Sequence, residues 1–266
     1  MVQYLAIIRT DASESPGFQG EWWHISGNSS KTITVDNGGE DVTTVVGVGD
    51  ELEIRRLTSI KDLFGSGATS VLLKDSNFDV LTSEEDVIRF LDGVSFSAEV
   101  FCHDGSLGAA GYYLNGVLIG SGDGSTITLN PGQSLIYFRR TGAAPLTIVA
   151  HGTVQSTRLT HYLAPGPNAV GSAFPIEAPI STSNLLEGGW LSDINFDILT
   201  TEEDLIRAVD GTSFGEEIFH YQGPDDVNGW YVNGVYSPDF AFQPTRSYMF
   251  FIQGARALRW RQNVPD

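Results

Sequence analysis

Residues 77–117 recur at residues 195–235, displaced by 118 positions without a gap, and 22 of the 41 aligned residues are identical. No other feature constrains the fold as strongly, because a duplicated segment of this length builds the same supersecondary unit twice. The longest matched run is Asn77-Phe-Asp-Val-Leu-Thr-Ser-Glu-Glu-Asp-Val-Ile-Arg89 against Asn195-Phe-Asp-Ile-Leu-Thr-Thr-Glu-Glu-Asp-Leu-Ile-Arg207. Asp92-Gly93, Ser95-Phe96, Glu99, Phe101, Tyr113 and Asn115-Gly116-Val117 persist as well. After a five-residue shift, Pro131 aligns with Pro244 and Leu135–Phe138 with Tyr248–Phe251.

Each copy can be read locally. Thr82-Ser-Glu-Glu85 and Thr200-Thr-Glu-Glu203 match a capping box, followed by Asp86 and Asp204 at the positive end of a helix dipole. Val87, Ile88 and Leu91 (Leu205, Ile206 and Val209 in the second copy) supply one apolar stripe, and Asp92-Gly93 and Asp210-Gly211 a stop. The pattern predicts a short capped helix in each copy. Further short helices are expected over Thr58–Phe64, ended by Gly65, and over Ser181–Glu187, ended by Gly188. Ser95–Phe101 and Ser213–Phe219 alternate as strands, and Asn115-Gly116 and Asn233-Gly234 have the composition of two-residue hairpin turns. Ser134–Arg139 and Leu146–His151 are expected to close the first copy as strands, with Ser247–Ile252 and Ala257–Arg261 closing the second.

Residues 1–56 read as strands over 2–9, 20–26, 31–36, 43–48 and 51–56, a small barrel-like module too short for comfortable independent stability. Leu163-Ala-Pro-Gly-Pro-Asn-Ala-Val-Gly171 has the composition of a linker. The expected fold class is therefore β-rich α+β: a small N-terminal β-barrel-like module over 1–56, then two tandem homologous β units with short capped helices, over 57–165 and 166–266.

Acidic residues outnumber basic ones 33 to 15 over 266 residues, a formal charge of −18. A surface of that sign repels phosphate backbones, so nucleic acid is not an expected partner. No run approaches the roughly 18 apolar residues of a membrane-spanning helix. The lone Cys102 excludes an intrachain disulfide and a cysteine-based zinc site. Met1–Arg9 does not read as a signal peptide, and Val2–Arg9 alternates as a strand, so the expectation is either a cytosolic protein or a chain that begins after its export signal.

Four segments together resemble an uncharacterised, paralogue-rich family of predicted secreted β-rich proteins of verrucomicrobial-type bacteria. They are Glu21-Trp-Trp-His-Ile-Ser-Gly-Asn28, Val48-Gly-Asp-Glu-Leu-Glu-Ile-Arg55 running into Leu57-Thr58 and Leu63-Phe64-Gly65, Pro131-Gly-Gln-Ser-Leu-Ile-Tyr-Phe-Arg-Arg140, and Leu163–Pro179. The resemblance implies an extracytoplasmic location, secreted or at the cell surface, and a β-rich fold. Members usually carry an export signal and additional N-terminal β structure, neither of which is in this sequence. The resemblance implies no catalytic residue.

Candidate sites divide between chemistry and structure. Glu84-Glu85-Asp86 and Glu202-Glu203-Asp204 could bind calcium with Asp79 and Asp197, but no Asp-x-Asp-x-Asp-Gly loop is present and helix capping explains the same residues. Glu99 and Glu217 could each be half of a glycosidase acid–base pair, or lie on solvated strand faces. His24, His103, His151, His161 and His220 form no metal-binding spacing, and Cys102 reads as a small buried hydrophobe. Three adjacent aromatic pairs stand out: Trp22-Trp23, Tyr112-Tyr113 and Trp230-Tyr231. Neighbouring strand residues face opposite sides, so each pair is expected to leave one ring outside its local core, available to a glycan or a neighbouring subunit, unless both sheet faces are covered. Arg139-Arg140 and Arg256, Arg259 and Arg261 could pair with acids across an inter-repeat or intermolecular contact, or shield edge strands.

The leading expectation is a non-enzymatic protein acting through protein contacts, a self-associating homo-oligomer or polymer whose alternating first strand pairs with another chain. A glycan-binding module is the alternative and a carbohydrate-active enzyme the third. No catalytic, cofactor or metal residue is assigned.

Overall fold

The computed structural model describes residues 3–12, 17–79, 84–92, 95–148, 157–196, 202–211, 213–244 and 246–265. The chain is β-rich and divides into two compact units. One comprises Met1–Leu91, Phe96–Asn130 and Leu135–Thr153; the other comprises Asp92–Ser95, Pro131–Ser134 and Val154–Asp266.

The first unit opens with β1 (Tyr4–Thr10), β2 (Trp22–Asn28), β3 (Ile33–Asp36) and β4 (Glu51–Arg56), an antiparallel sheet in the order β3-β2-β1-β4. Its outer strands, β3 and β4, do not pair with each other, so the sheet is open where a barrel-like closure was expected. The strand expected over 43–48 is replaced by a 3-10 turn, Val42–Thr44, because the Asp41 carboxylate accepts from the Thr43 amide at 3.0 Å and curls the chain. β1 does not lie at an edge. Leu5, Ala6, Ile7 and Ile8 are all buried between β2 and β4, so the first strand has no free side to offer another chain. Four consecutive apolar residues mark a strand covered on both faces, which outweighs the alternation read from its flanks.

The same unit continues with β5 (Thr58–Ser59), which pairs with β10 (Thr128–Leu129). Then comes α1 (Ile60–Phe64), the only α-helix among the described residues. Ser59 and Asp62 form a reciprocal capping box at its start, and Gly65, at φ 85°, ends it. Five further strands form a sheet in the order β11-β6-β7-β8-β9: β6 (Val87–Asp92), β7 (Ser95–His103), β8 (Gly111–Leu114), β9 (Val117–Leu118) and β11 (Leu135–Phe138). Residues 146–148 have no regular structure; the rest of the strand expected there lies outside the described residues.

In the second unit, β12 (Leu159–Leu163) pairs with β21 (Leu258–Gln262), and β14 (Ala178–Pro179) with β19 (Ala241–Phe242). Its main sheet runs β13-β20-β15-β16-β17-β18, from β13 (Gly166–Gly171), β15 (Leu205–Asp210), β16 (Ser213–Tyr221), β17 (Gly229–Val232), β18 (Val235–Tyr236) and β20 (Ser247–Ile252). The succession β20-β15-β16-β17-β18 follows that of β11-β6-β7-β8-β9. The proline- and glycine-rich segment expected as a linker is the edge strand β13 itself, bonded to β20 along its length. An edge is where a sheet tolerates proline.

Three expected helices are not formed. The capped helices after Glu85 and Glu203 are the strands β6 and β15, and the helix over 181–187 is only a 3-10 turn, Ile180–Thr182. Thr82, Ser83, Thr200 and Thr201 lie outside the described residues. Val-Ile-Arg-Phe-Leu and Leu-Ile-Arg-Ala-Val suit either a helix stripe or a fully buried strand, and pairing with a strand on each side decides for the strand. The Asn-Gly expectation holds. Asn115 and Gly116 (φ 51° and 76°) and Asn233 and Gly234 (φ 50° and 77°) take the left-handed conformations of a type I′ turn.

In the second core, His161 stacks on Trp260 at 4.7 Å and shares a hydrogen bond with Gln262 Oε1 at 3.1 Å. Burial pushes its imidazole down to about 4 from 6.5. Below pH about 6.5 the unfolded chain takes up a proton that the folded chain refuses. Stability present above that pH is therefore lost as pH falls toward about 4, a penalty on the order of 3 kcal/mol from this group. His220, also shifted down by burial, adds to the same slope. Urea titrations at pH 7 and pH 5 should show a smaller acid loss in His161→Gln than in the native chain; an equal loss removes His161 as a source.

Candidate functional site

The most unusual backbone in each unit follows a buried aspartate. Asp75 accepts from the amides of Asn77 (3.2 Å) and Phe78 (3.0 Å), and Asp193 accepts from those of Asn195 (2.9 Å) and Phe196 (3.0 Å). These bonds hold Phe78 at φ 63° and Phe196 at φ 57°, left-handed conformations that a bulky residue rarely adopts. The rings compensate by packing. Phe78 stacks on His103 at 3.9 Å and meets Phe101 and Tyr113 edge-on; Phe196 meets Phe219, Tyr221 and Tyr231 edge-on.

Carboxylates gather at the first of these turns. Oxygens of Asp75, Asp79 and Glu85 lie within 4.8 Å of one another, with Asp75 and Glu85 buried. His103 Nδ1 accepts from the Gly105 amide at 3.0 Å, so the proton sits on Nε2, 3.7 Å from Asp75 Oδ2. That separation is beyond hydrogen-bond reach, so His103 lies beside the acids without a hydrogen bond to Asp75. The trio supplies three oxygens, half or less of the coordination shell of a calcium ion. In the second unit, positions 193 and 203 keep the two buried acids, and Asp197 lies outside the described residues. Asp75 and Asp193 stand two residues before the matched run, at the same offset of 118, and that shared offset is the sequence signal that marks them as a pair.

The acids expected to cap helices instead anchor strands. Asp86 is fully buried. It accepts from the amides of Leu73 and Arg140 (both 2.9 Å), from Tyr137 Oη (2.8 Å) and from the Arg139 guanidinium. Burial, with Asp86 alongside, pushes the Tyr137 phenol up to about 12. Asp204, equally buried, accepts from the amides of Leu191 and Gln253 (both 2.8 Å) and from Arg256. Thus Arg139 and Arg256, considered for inter-repeat or intermolecular pairing, each bind an acid of their own unit.

Glu99 and Glu217 each face an arginine. Arg89 donates to Glu99 at 2.8 Å and lies 5.2 Å from the centroids of both Phe96 and Phe138. Arg207 donates to Glu217 at 2.8 Å, over Phe214 and Phe251. Each glutamate is thus one side of an ion pair with an arginine of the neighbouring strand, which ties β6 to β7 and β15 to β16.

The aromatic pairs do straddle their sheets, but the second face is covered too. Tyr112 lies in one core while Tyr113 stacks on Phe101; Trp230 and Tyr231 divide in the same way between two clusters. Trp23 is buried and Trp22 half-buried. Tyr113 and Tyr231, the rings on the second face, are therefore inside, with Phe78 and Phe196 packed against them, while Trp22 keeps part of its surface accessible. His24 contacts Trp22, His220 bonds Ser192 at 2.8 Å, and His151 lies outside the described residues. Cys102 is buried, and that burial pushes its thiol up.

Some of the exposed apolar residues lie on sheet edges. Ile33 on β3, Leu52 and Ile54 on β4, Val117 on β9 and Val235 on β18 are exposed apolar residues on outermost strands. No helix of the described chain is long and apolar enough to cross a membrane. Compared with known protein families, curated proteins and solved structures, the chain matches none.

Proposed function

We propose that this chain is a non-enzymatic β-domain protein, exported or displayed at the cell surface, that acts through protein contacts and self-associates as a structural subunit. The observation that carries the reading is the exposed apolar residues on the outermost strands of all three main sheets. Unpaired N–H and C=O groups beside such residues are a template for pairing with another chain, and proteins that stay monomeric blunt such edges. The acids and arginines most suggestive of chemistry are engaged in ion pairs that hold strands together. In the same reading, the two sheets of like strand succession descend from one duplicated segment, and the acidic surface keeps the subunits soluble until they meet edge to edge.

Light scattering during size exclusion, over a hundredfold range of protein concentration, tests the proposal. The expected result is a species heavier than the 28.8 kDa chain that dissociates on dilution. A monodisperse species of the chain's own mass at every concentration would overturn it.

A further inference from the structure

The edge strand β4 is self-complementary, and we infer that it pairs with β4 of a second copy about a two-fold axis through Ile54. This inference rests on the self-association proposed above and names its surface. The sequence of β4 is Glu51-Leu-Glu-Ile-Arg-Arg56, bonded to β1 on one side and to no other described strand on the other. Leu57 donates its amide to Gln3 across the β1 side, at 3.0 Å. Main-chain groups alternate sides along a strand, so those of Glu53 and Arg55 also point to β1, and those of Leu52, Ile54 and Arg56 point outward. Antiparallel pairing of two such edges joins one four-stranded sheet to another.

Charge selects the register. Glu53 and Arg55 lie on one face of β4, an ion pair at 2.7 Å. Centring the pair on Glu53 would set Glu53 against the same residue of the second copy, and centring it on Arg55 would set arginine against arginine. Directly opposed like charges are destabilising. Centring it on Ile54 sets Glu53 opposite the second copy's Arg55, twice, in a square of alternating charge. On the other face Ile54 then meets Ile54 of the second copy, and Leu52 lies against the stem of the second copy's Arg56. Ile54 and Leu52, 56% and 43% exposed, are the apolar residues that this contact would cover. Because the same patch serves both partners, the contact closes as a dimer.

Sedimentation velocity on the full chain tests the inference with the variants Glu53→Arg, Arg55→Glu and the exchange Glu53→Arg/Arg55→Glu. Each single change makes the square four like charges, and dimer formation should need at least about tenfold higher concentration. The exchange restores alternation and should dimerise like the native chain. An equimolar mixture of the two single variants should form a heterodimer, which also shows that both are folded. Single variants that associate as the native chain does would overturn the β4 contact while leaving self-association standing. Failure of both the exchange and the mixture to regain the dimer would overturn the β4 contact in the same way. A native chain that is monomeric throughout would overturn both.

Discussion

Replacing Asp86 with alanine is expected to lower stability by about 3 kcal/mol, the low end of the range for breaking a buried charge pair, because Arg139 is partly exposed. The carboxylate is fully buried and receives two amides, a phenol and a guanidinium. Alanine leaves the amides of Leu73 and Arg140 without their acceptor and strands the Arg139 charge against the sheet. Both amides lie in part-buried bonds, and each donor cut off from water carries a penalty of roughly 1–3 kcal/mol, so the loss exceeds that of one ordinary hydrogen bond. Asp86→Asn keeps the shape and an acceptor oxygen but not the charge, and should fall between the two. Urea unfolding gives the magnitude, and hydrogen exchange should place the loss in β6 and β11. A change below about 1 kcal/mol would show that the anchor is dispensable. Asp204→Ala makes the corresponding test in the second unit.

Gly67→Ala should be comparably severe for a different reason. Three glycine backbones converge in the first unit. A methyl group on Gly67 would stand 2.7 Å from the Cα of Gly111 and closer still to the carbonyl oxygen of Gly122. One on Gly111 would come within 2.6 Å of the Cα of Gly122. These obstacles are main chain, not the far end of a flexible side chain, so relief requires β8 or the loop after β9 to move. The Cys102 thiol, 3.4 Å from the Gly67 carbonyl oxygen, would be displaced with them. Overpacking of this kind costs about 3 kcal/mol. The same urea titration measures it, and a loss under about 1 kcal/mol would mean that the loop yields freely.

How much of the fold is legible in the sequence depends on the range of the interactions involved. Turn chemistry is local, and the Asn-Gly hairpins and the capped helix ended by Gly65 can be read directly from adjacent residues. Strand and helix are harder to separate when a run such as Val87–Asp92 is apolar through most of its length, because the partners that decide the matter lie at Leu135–Phe138 and Ser95–His103. The same limit hides the role of Asp86: a carboxylate before an apolar run looks like a cap until Arg139, far along the chain, is seen to reach it. The aromatic pairs are legible as pairs, with alternate rings on opposite faces. What covers the second face is not, since it depends on a left-handed Phe78 or Phe196 that no propensity anticipates. The inner position of β1 is hidden for a similar reason: only β4, arriving after residue 50, occupies its other side.

In the proposed duplication, the two buried acids hold matched positions while their arginines do not. Asp86 is met by Arg139 from just past β11, but the position aligned with Arg139 is Ile252, and Asp204 is met instead by Arg256. The amides of Arg140 and Gln253, by contrast, are aligned and do the same thing in both units. A main-chain donor cannot relocate without refolding the strand, so it ties the acid to one place. A long flexible cation can arrive from any nearby position and still neutralise it. Mutational drift in such a protein should therefore be asymmetric: the acids immobile, and their counter-ions free to wander along the chain, provided that one stays within reach.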